Sequence, residues 1–143
     1  MLKQEEGPLR SAMARAGAMR QAGQTADALA EIIRARQNLP LDGRHLPSDE
    51  AAALAEGWEF QAADDLYRGC LEGGLEDLAI AEQILAGRPE HGERRGRICV
   101  EIAANLTATT ADLQSVRAEY LAISERLLKG SDRYRELLAA LGR

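Results

Sequence analysis

The two histidines are the side chains best suited to acid–base chemistry near neutral pH, because their unperturbed pKa lies close to it. His45 lies in a proline-bordered stretch and His91 in an arginine-rich one. Neither stands on a predicted helix beside a carboxylate or a cysteine one turn away, the arrangement that would hold a metal or activate the imidazole. The sequence therefore predicts that both are solvated loop residues.

Paired carboxylates are the second group that could do chemistry. Glu56 with Glu59, and Asp64 with Asp65, fall on one predicted helix, but the chain lacks the Glu-x-x-His motif of di-iron bundles. No serine stands in a glycine elbow, and no glycine run has phosphate-loop spacing. We therefore expect these acids to form an exposed helix face, and we predict no catalytic residue, no metal site, no cofactor and no enzyme activity.

Cysteines and arginines complete the candidates. Cys70 and Cys99 are too far apart in sequence for a zinc-type pair, and they are expected to be buried thiols. Four arginines, Arg88, Arg94, Arg95 and Arg97, form a single basic cluster, which predicts a solvated turn, with contact to an anion or an acidic partner as the alternative. Nucleic-acid binding would require several such clusters with interleaved aromatic residues.

Charge is distributed unevenly along the chain. Residues 48–90 carry two basic and eleven acidic side chains, whereas the whole chain has a net charge of −5. This acidity argues against a nucleic-acid partner, since such binding relies on neutralising phosphates. It is compatible with a basic protein partner, although a solvated acidic face without a partner is the alternative.

The elements that position these residues are helices. Hydrophobic residues make up 45% of the chain and aromatic residues 3%, and the apolar positions are largely Leu, Ile and Ala, which favours closely packed helices. No apolar run is long enough to span a membrane, and the N-terminus lacks the apolar run of a secretory signal, so a cytoplasmic location is expected.

Glycines and prolines predict where the helices end. The first four helices are expected at 9–22, at 26–37 after a Thr25 cap, from Ser48 or Asp49 to Leu71, and from about Leu75 to Gly87, with Gly73-Gly74 between the third and the fourth. The third helix carries two apolar rows, which predicts that neighbours cover it on two sides. One row is Leu54, Trp58, Ala62, Leu66 and Cys70; the other is Phe60, Ala63, Tyr67 and Leu71.

The first two helices show a family-like pattern. Ala12, Ala16 and Met19, followed by Ala28, Ile32, Ala35 and Pro40, resemble the small and large positions of a tetratricopeptide repeat, a helical hairpin of about 34 residues. Arg15 departs from the pattern where a large apolar residue is expected, and the spacing does not recur one repeat later. The resemblance implies a helical hairpin and carries no function over.

Apolar residues at alternating steps of three and four mark residues 99–127. The period is that of a helix packed lengthwise on another helix, so it predicts one long heptad-patterned helix over about 97–129 and a modest preference for a homodimer of coiled-coil type. A short last helix is expected after Ser131. The predicted interaction seam consists of Ile102, Leu106, Leu113, Val116, Tyr120, Ile123 and Leu127.

The predicted fold is all-α: a single domain, 1–143, forming an irregular antiparallel bundle of five or six helices with one long C-terminal helix. The predicted function is a non-enzymatic cytoplasmic protein–protein interaction module, such as an adaptor, assembly factor or export-type chaperone, with a basic or helical partner. One alternative is a structural, oligomeric assembly component. The other is a helical bundle that binds a small ligand, or acts on one, near Trp58 and Tyr67.

Overall fold

A computed structural model describes residues 7–37, 39, 44–106, 110–129, 135, 136 and 139, and it confirms the all-α class, since this part contains no β-strand. The described residues form six helices: α1 (Pro8–Gln21), α2 (Thr25–Arg36), α3 (Ser48–Tyr67), α4 (Leu71–Ala86), α5 (Gly92–Asn105) and α6 (Ala111–Leu128). A 3₁₀ turn, Pro89–His91, precedes α5. Across the described ranges, no helix has the length and apolar character needed to cross a membrane.

Consecutive helices pack as three hairpins, α1–α2, α3–α4 and α5–α6. The first hairpin also contacts α3, and α4 contacts α5, so α3 holds the first hairpin and α4 links to the last. Leucine, isoleucine and alanine fill the core as the composition predicts. Its largest apolar side chains include Leu54, Leu78, Leu85, Ile98 and Ile102.

Glycines in the left-handed region close the first two hairpins. Gly23 has φ +82° and Gly69 has φ +83°, a backbone conformation that L side chains rarely adopt. The break predicted at Gly23 is therefore confirmed. The predicted extension of the third helix to Leu71 is wrong, because Gly69 ends α3 four residues earlier than expected.

The Gly73-Gly74 pair lies inside α4 and does not separate two helices as predicted. A Cβ atom on Gly74 would lie 2.7 Å from side-chain atoms of Leu66. Glycine at this position therefore permits a close approach of α3 and α4. A sequence pattern cannot distinguish this role of glycine from helix termination, because both require a small residue.

The structure does not confirm the single long helix over 97–129. Helix α5 ends at Asn105 and α6 begins at Ala111, and the two pack against each other. The Thr110 hydroxyl accepts the backbone N–H of Leu113 at 3.2 Å, so it caps α6. Apolar residues continue at spacings of three and four across the break because each of the two helices has its own apolar stripe. The two stripes together have the heptad pattern of one long helix.

The side of α6 that faces the core is also shifted from the predicted seam. Ser124 and Leu128 are its buried residues, whereas Val116 is 38% exposed. A Cβ on Gly96 of α5 would lie 2.7 Å from the Leu128 side chain, so these two helices meet closely at that point. Within the predicted seam, Ile102 is buried and Leu106, Leu113, Tyr120, Ile123 and Leu127 are half-buried. The short helix predicted after Ser131 lies largely outside the described residues.

A buried carboxylate joins α1 to α3. Glu50, in the first turn of α3, accepts the backbone N–H groups of Leu9 at 3.1 Å and Arg10 at 2.9 Å. These donors belong to the first turn of α1, where backbone N–H groups have no partner within the helix. Arg10 also pairs with the exposed Asp49 at 3.0 Å. The first hairpin is thus fixed on α3 at the N-terminal ends of both helices.

Candidate protein-interaction groove

One stripe of α3 faces an open groove between the first helices of the three hairpins. Its positions, 56, 59, 60, 63, 64 and 67, recur at helical steps along a single face. Two adjoining cavities of about 610 and 250 Å³ share Arg20, Phe60 and Ala63. We call this surface the α3 groove. It is lined by Arg20, Thr25, Glu56, Glu59, Phe60, Ala63, Asp64, Tyr67, Arg68, Arg94 and Arg97.

Within the described residues, the apolar row of the α3 groove is covered only at Phe60, which packs against the first hairpin. Tyr67 is 91% exposed, Ala63 is exposed and Phe60 is half-buried. The prediction that neighbours cover α3 on two sides is confirmed, since α4 and the first hairpin both pack on it, but the second apolar row is left exposed at Ala63 and Tyr67. Large exposed apolar residues aligned in a concave surface are typical of a binding site for another molecule.

Arginines from α1 and α5 flank this row. The Arg20 guanidinium lies over the Phe60 ring, 4.9 Å from its centroid. Arg94 reaches from α5 to α3, with its Nη1 atom 3.1 Å from a carboxylate oxygen of Glu59 and 3.9 Å from one of Glu56. Arg97 has a buried Nε atom without a hydrogen-bond partner. Within the described residues, neither Arg20 nor Arg97 forms an ion pair.

Burial raises the pKa of Glu59, and the neighbouring Arg94 opposes this shift. Burial also raises the pKa of Glu101, with Arg97 again opposing it. Both carboxylates lie near a groove arginine in a partly desolvated region, where charges interact more strongly than in bulk water. The α3 groove is therefore an apolar strip bordered by charges that a ligand would meet in a partly dehydrated environment.

Three of the four arginines that the sequence placed in a solvated turn, Arg88, Arg94 and Arg95, are instead bonded to other elements. Arg88 donates to the carbonyl oxygen of Leu46 at 2.8 Å, and Arg95 donates to the buried Glu82 at 2.8 Å. Helix α5 begins at Gly92, so the last three arginines of the cluster lie on a helix. The sequence held two signals for this arrangement: the spacing of the arginines and the acidic residues of α3 and α4.

Neither histidine lines the α3 groove. His45 is exposed, whereas the Nε2 atom of His91 lies 2.9 Å from the Ser48 hydroxyl and 3.0 Å from the Ser48 carbonyl oxygen. The prediction of a solvated His91 is therefore wrong: it ties the 3₁₀ turn to the start of α3. No three metal-ligating side chains come together among the residues that the structure describes.

The two cysteines differ in environment. Cys99 is buried, as predicted, and burial raises the pKa of its thiol to about 12. Cys70 is exposed, contrary to the prediction, because it lies in the turn after Gly69 and not within α3. Neither thiol adjoins the groove.

Trp58 and Tyr67, which the sequence placed beside one pocket, line different cavities. Tyr67 lines the α3 groove, whereas Trp58 lines a separate cavity between α2 and α3. Comparison of the chain with models of known families, with curated proteins and with solved structures finds no match.

Proposed function

We propose that this chain is a non-enzymatic protein-interaction module that binds a segment of a partner protein in the α3 groove. The observation that carries this proposal is the exposed pair of Ala63 and Tyr67 beside the half-buried Phe60, bordered by Arg20 and Arg97. Aromatic and arginine side chains dominate the binding energy of many protein interfaces. A helical surface of this kind suits a segment that places apolar side chains at helical spacing.

The charges favour a partner segment with carboxylate groups. Arg20 and Arg97 lack ion-pair partners within the described residues, so an incoming carboxylate would gain charge-assisted hydrogen bonds there. Many of the acidic side chains in residues 48–90, which are compatible with a basic partner, form bonds within the chain. Asp49, Glu59 and Glu82 pair with arginines of α1 or α5. A basic partner, a homodimer and a cytoplasmic location stay predictions from the sequence.

The proposal is tested with peptides selected from a random combinatorial library on the immobilised protein. We expect selected peptides to combine apolar and acidic residues and to bind in solution, as measured by fluorescence anisotropy. Replacing the acidic residues of a selected peptide by their amides should weaken binding at least about tenfold, the effect of losing one or two charged hydrogen bonds.

Two matched variants locate the binding site. Tyr67→Ser should weaken binding of the selected peptides at least about tenfold, as expected for an aromatic contact at the centre of an interface. Val116→Ser is the control: it removes an apolar side chain of α6 that is 38% exposed, and it should leave the affinity for the selected peptides unchanged. Equal affinity of the unmodified chain and the Tyr67→Ser variant for every selected peptide would refute the α3 groove as the site.

A further inference from the structure

A second cavity lies on the other side of α3, against α2. It has a volume of about 530 Å³, within the range of small-molecule sites in proteins. Its walls are largely apolar, with Ala30, Ile33 and Leu54 among them, and Arg36 and Trp58 also line it. Ile33 is 44% exposed at this surface. We call this the Trp58 cavity.

Arg36 is held in place in this cavity without an anionic partner. Its guanidinium stacks on the Trp58 ring, 3.6 Å from the centroid, and its Nη2 atom donates to the side-chain oxygen of Gln61. The Nη1 atom of Arg36 and the indole Nε1 of Trp58 are both buried, and neither has a hydrogen-bond partner in the part of the chain that the structure describes. Buried N–H donors without an acceptor are costly, and each such group in a native structure calls for a missing partner.

The acidic group whose charge acts on Arg36 forms no ion pair with it among the described residues. Asp77 of α4 is 5% exposed, and its Oδ2 atom has no hydrogen-bond partner either. Burial, a hydrogen bond with Asp65 and the charge of Asp65 raise the pKa of Asp77 to about 7, while Arg36 acts in the opposite direction. Asp77 therefore keeps its proton to a higher pH than an exposed carboxyl group would, which weakens it as a counter-ion for Arg36.

We propose that the Trp58 cavity binds an amphiphilic carboxylate, with its head group beside the Arg36 guanidinium and its apolar body along Ala30 and Ile33. A carboxylate offers acceptors to a guanidinium in the geometry that arginine prefers. The apolar walls would bury an aliphatic or aromatic body, which supplies most of the binding free energy of such ligands. This binding activity is additional to the protein-interaction function and uses a different face of α3.

Trp58 is the only tryptophan in the chain, so its emission reports on the cavity directly. The test titrates the full chain with decanoate and, in parallel, with decyltrimethylammonium, each below its micelle concentration, and calorimetry verifies the stoichiometry. We expect saturable binding of decanoate with a Kd on the order of 10⁻⁴ M. The cation, with the same chain length, should bind at least about tenfold more weakly, because Arg36 repels it.

Two arginine variants separate a head-group site from general attraction. Arg36→Met should weaken decanoate binding at least about tenfold and remove the preference over the cation. Arg34→Met, at the rim of the same cavity, should leave affinity within about twofold, because Arg34 is 73% exposed and already pairs with Glu31. Circular dichroism establishes that each variant is folded.

Three results would overturn the proposal: no saturable binding of decanoate to the folded chain, equal affinity for the anion and the cation, or equal loss of affinity in both arginine variants. The comparison of anion with cation uses the unmodified chain, so it decides the matter even if Arg36→Met does not fold. The Tyr67→Ser variant should bind decanoate normally, so failure here is distinguishable from failure of the α3 groove.

Discussion

Replacing Glu50 by glutamine tests how the first hairpin is fixed on α3. The Glu50 side chain is 6% exposed and accepts two backbone N–H groups from the first turn of α1. Gly7 leaves room for it, since a Cβ there would lie 2.0 Å from the Glu50 carboxyl carbon. The N–H of Ser11 is already bonded to the Gly7 carbonyl oxygen, so Glu50 satisfies the donors that this turn leaves over.

The expected loss follows from these contacts. Glu50→Gln preserves the shape of the side chain but offers one oxygen instead of two and carries no charge. It therefore gives up one charge-assisted hydrogen bond, worth about 1.5–3 kcal/mol, and an interaction with the helix dipole worth about 0.3–1 kcal/mol. Allowing for relaxation, we expect the free energy of unfolding to fall by about 2 kcal/mol, and by about 3 kcal/mol for Glu50→Ala.

Urea unfolding at neutral pH, followed by circular dichroism, measures this change. Asp49→Asn is the matched control. It removes a neighbouring carboxylate whose pair with Arg10 is exposed on both sides, and such pairs contribute at most about 1 kcal/mol. If Glu50→Gln is as stable as the unmodified chain, or if the control loses as much, the proposed anchoring of α1 by a buried carboxylate is refuted.

Two further predictions concern substitutions in α4, Asp77→Asn and Gly74→Ala, and the second has a control in α1. The raised pKa of Asp77 means that the folded chain keeps a proton that the unfolded chain releases, so this group makes stability fall as pH rises between about 4 and about 7. Asp77→Asn should remove that part of the slope in urea unfolding across this range, and an unchanged slope would contradict the assignment. Gly74→Ala should lower stability by about 1–3 kcal/mol because its Cβ would meet Leu66. Gly17→Ala, with open space around it, should raise stability by about 0.5–1 kcal/mol, and thermal melts that move both variants the same way would refute the close approach.

Local signals in the sequence predicted the starts of the first three helices to within about a residue, because prolines, turn residues and the onset of an apolar stripe act over a single turn. The same signals failed at Gly74, where a small residue serves a contact between helices. They also failed at Thr110, where the apolar period ran unchanged across a helix break. Such features depend on distant partners, which a short window of sequence does not contain.

The sequence predicted only part of the candidate groove. The sequence predicted that Phe60, Ala63 and Tyr67 form an apolar row. The period of such a row indicates an apolar helix face, but it does not indicate whether other parts of the chain cover that face. Arg20, Arg94 and Arg97 meet this row only through the packing of three hairpins. The Arg36 stack on Trp58 likewise joins residues of different helices, so neither site had a motif of fixed spacing.

The first hairpin completes both candidate sites from opposite sides of α3, with Arg20 of α1 in the α3 groove and Arg36 of α2 in the Trp58 cavity. A molecule bound at either site would therefore contact this hairpin and α3 together. Because it would bind the native state, it would raise the free energy needed to separate the two. Two ligands of different kinds would thus protect the same joint, which Glu50 holds at the N-terminal ends of α1 and α3.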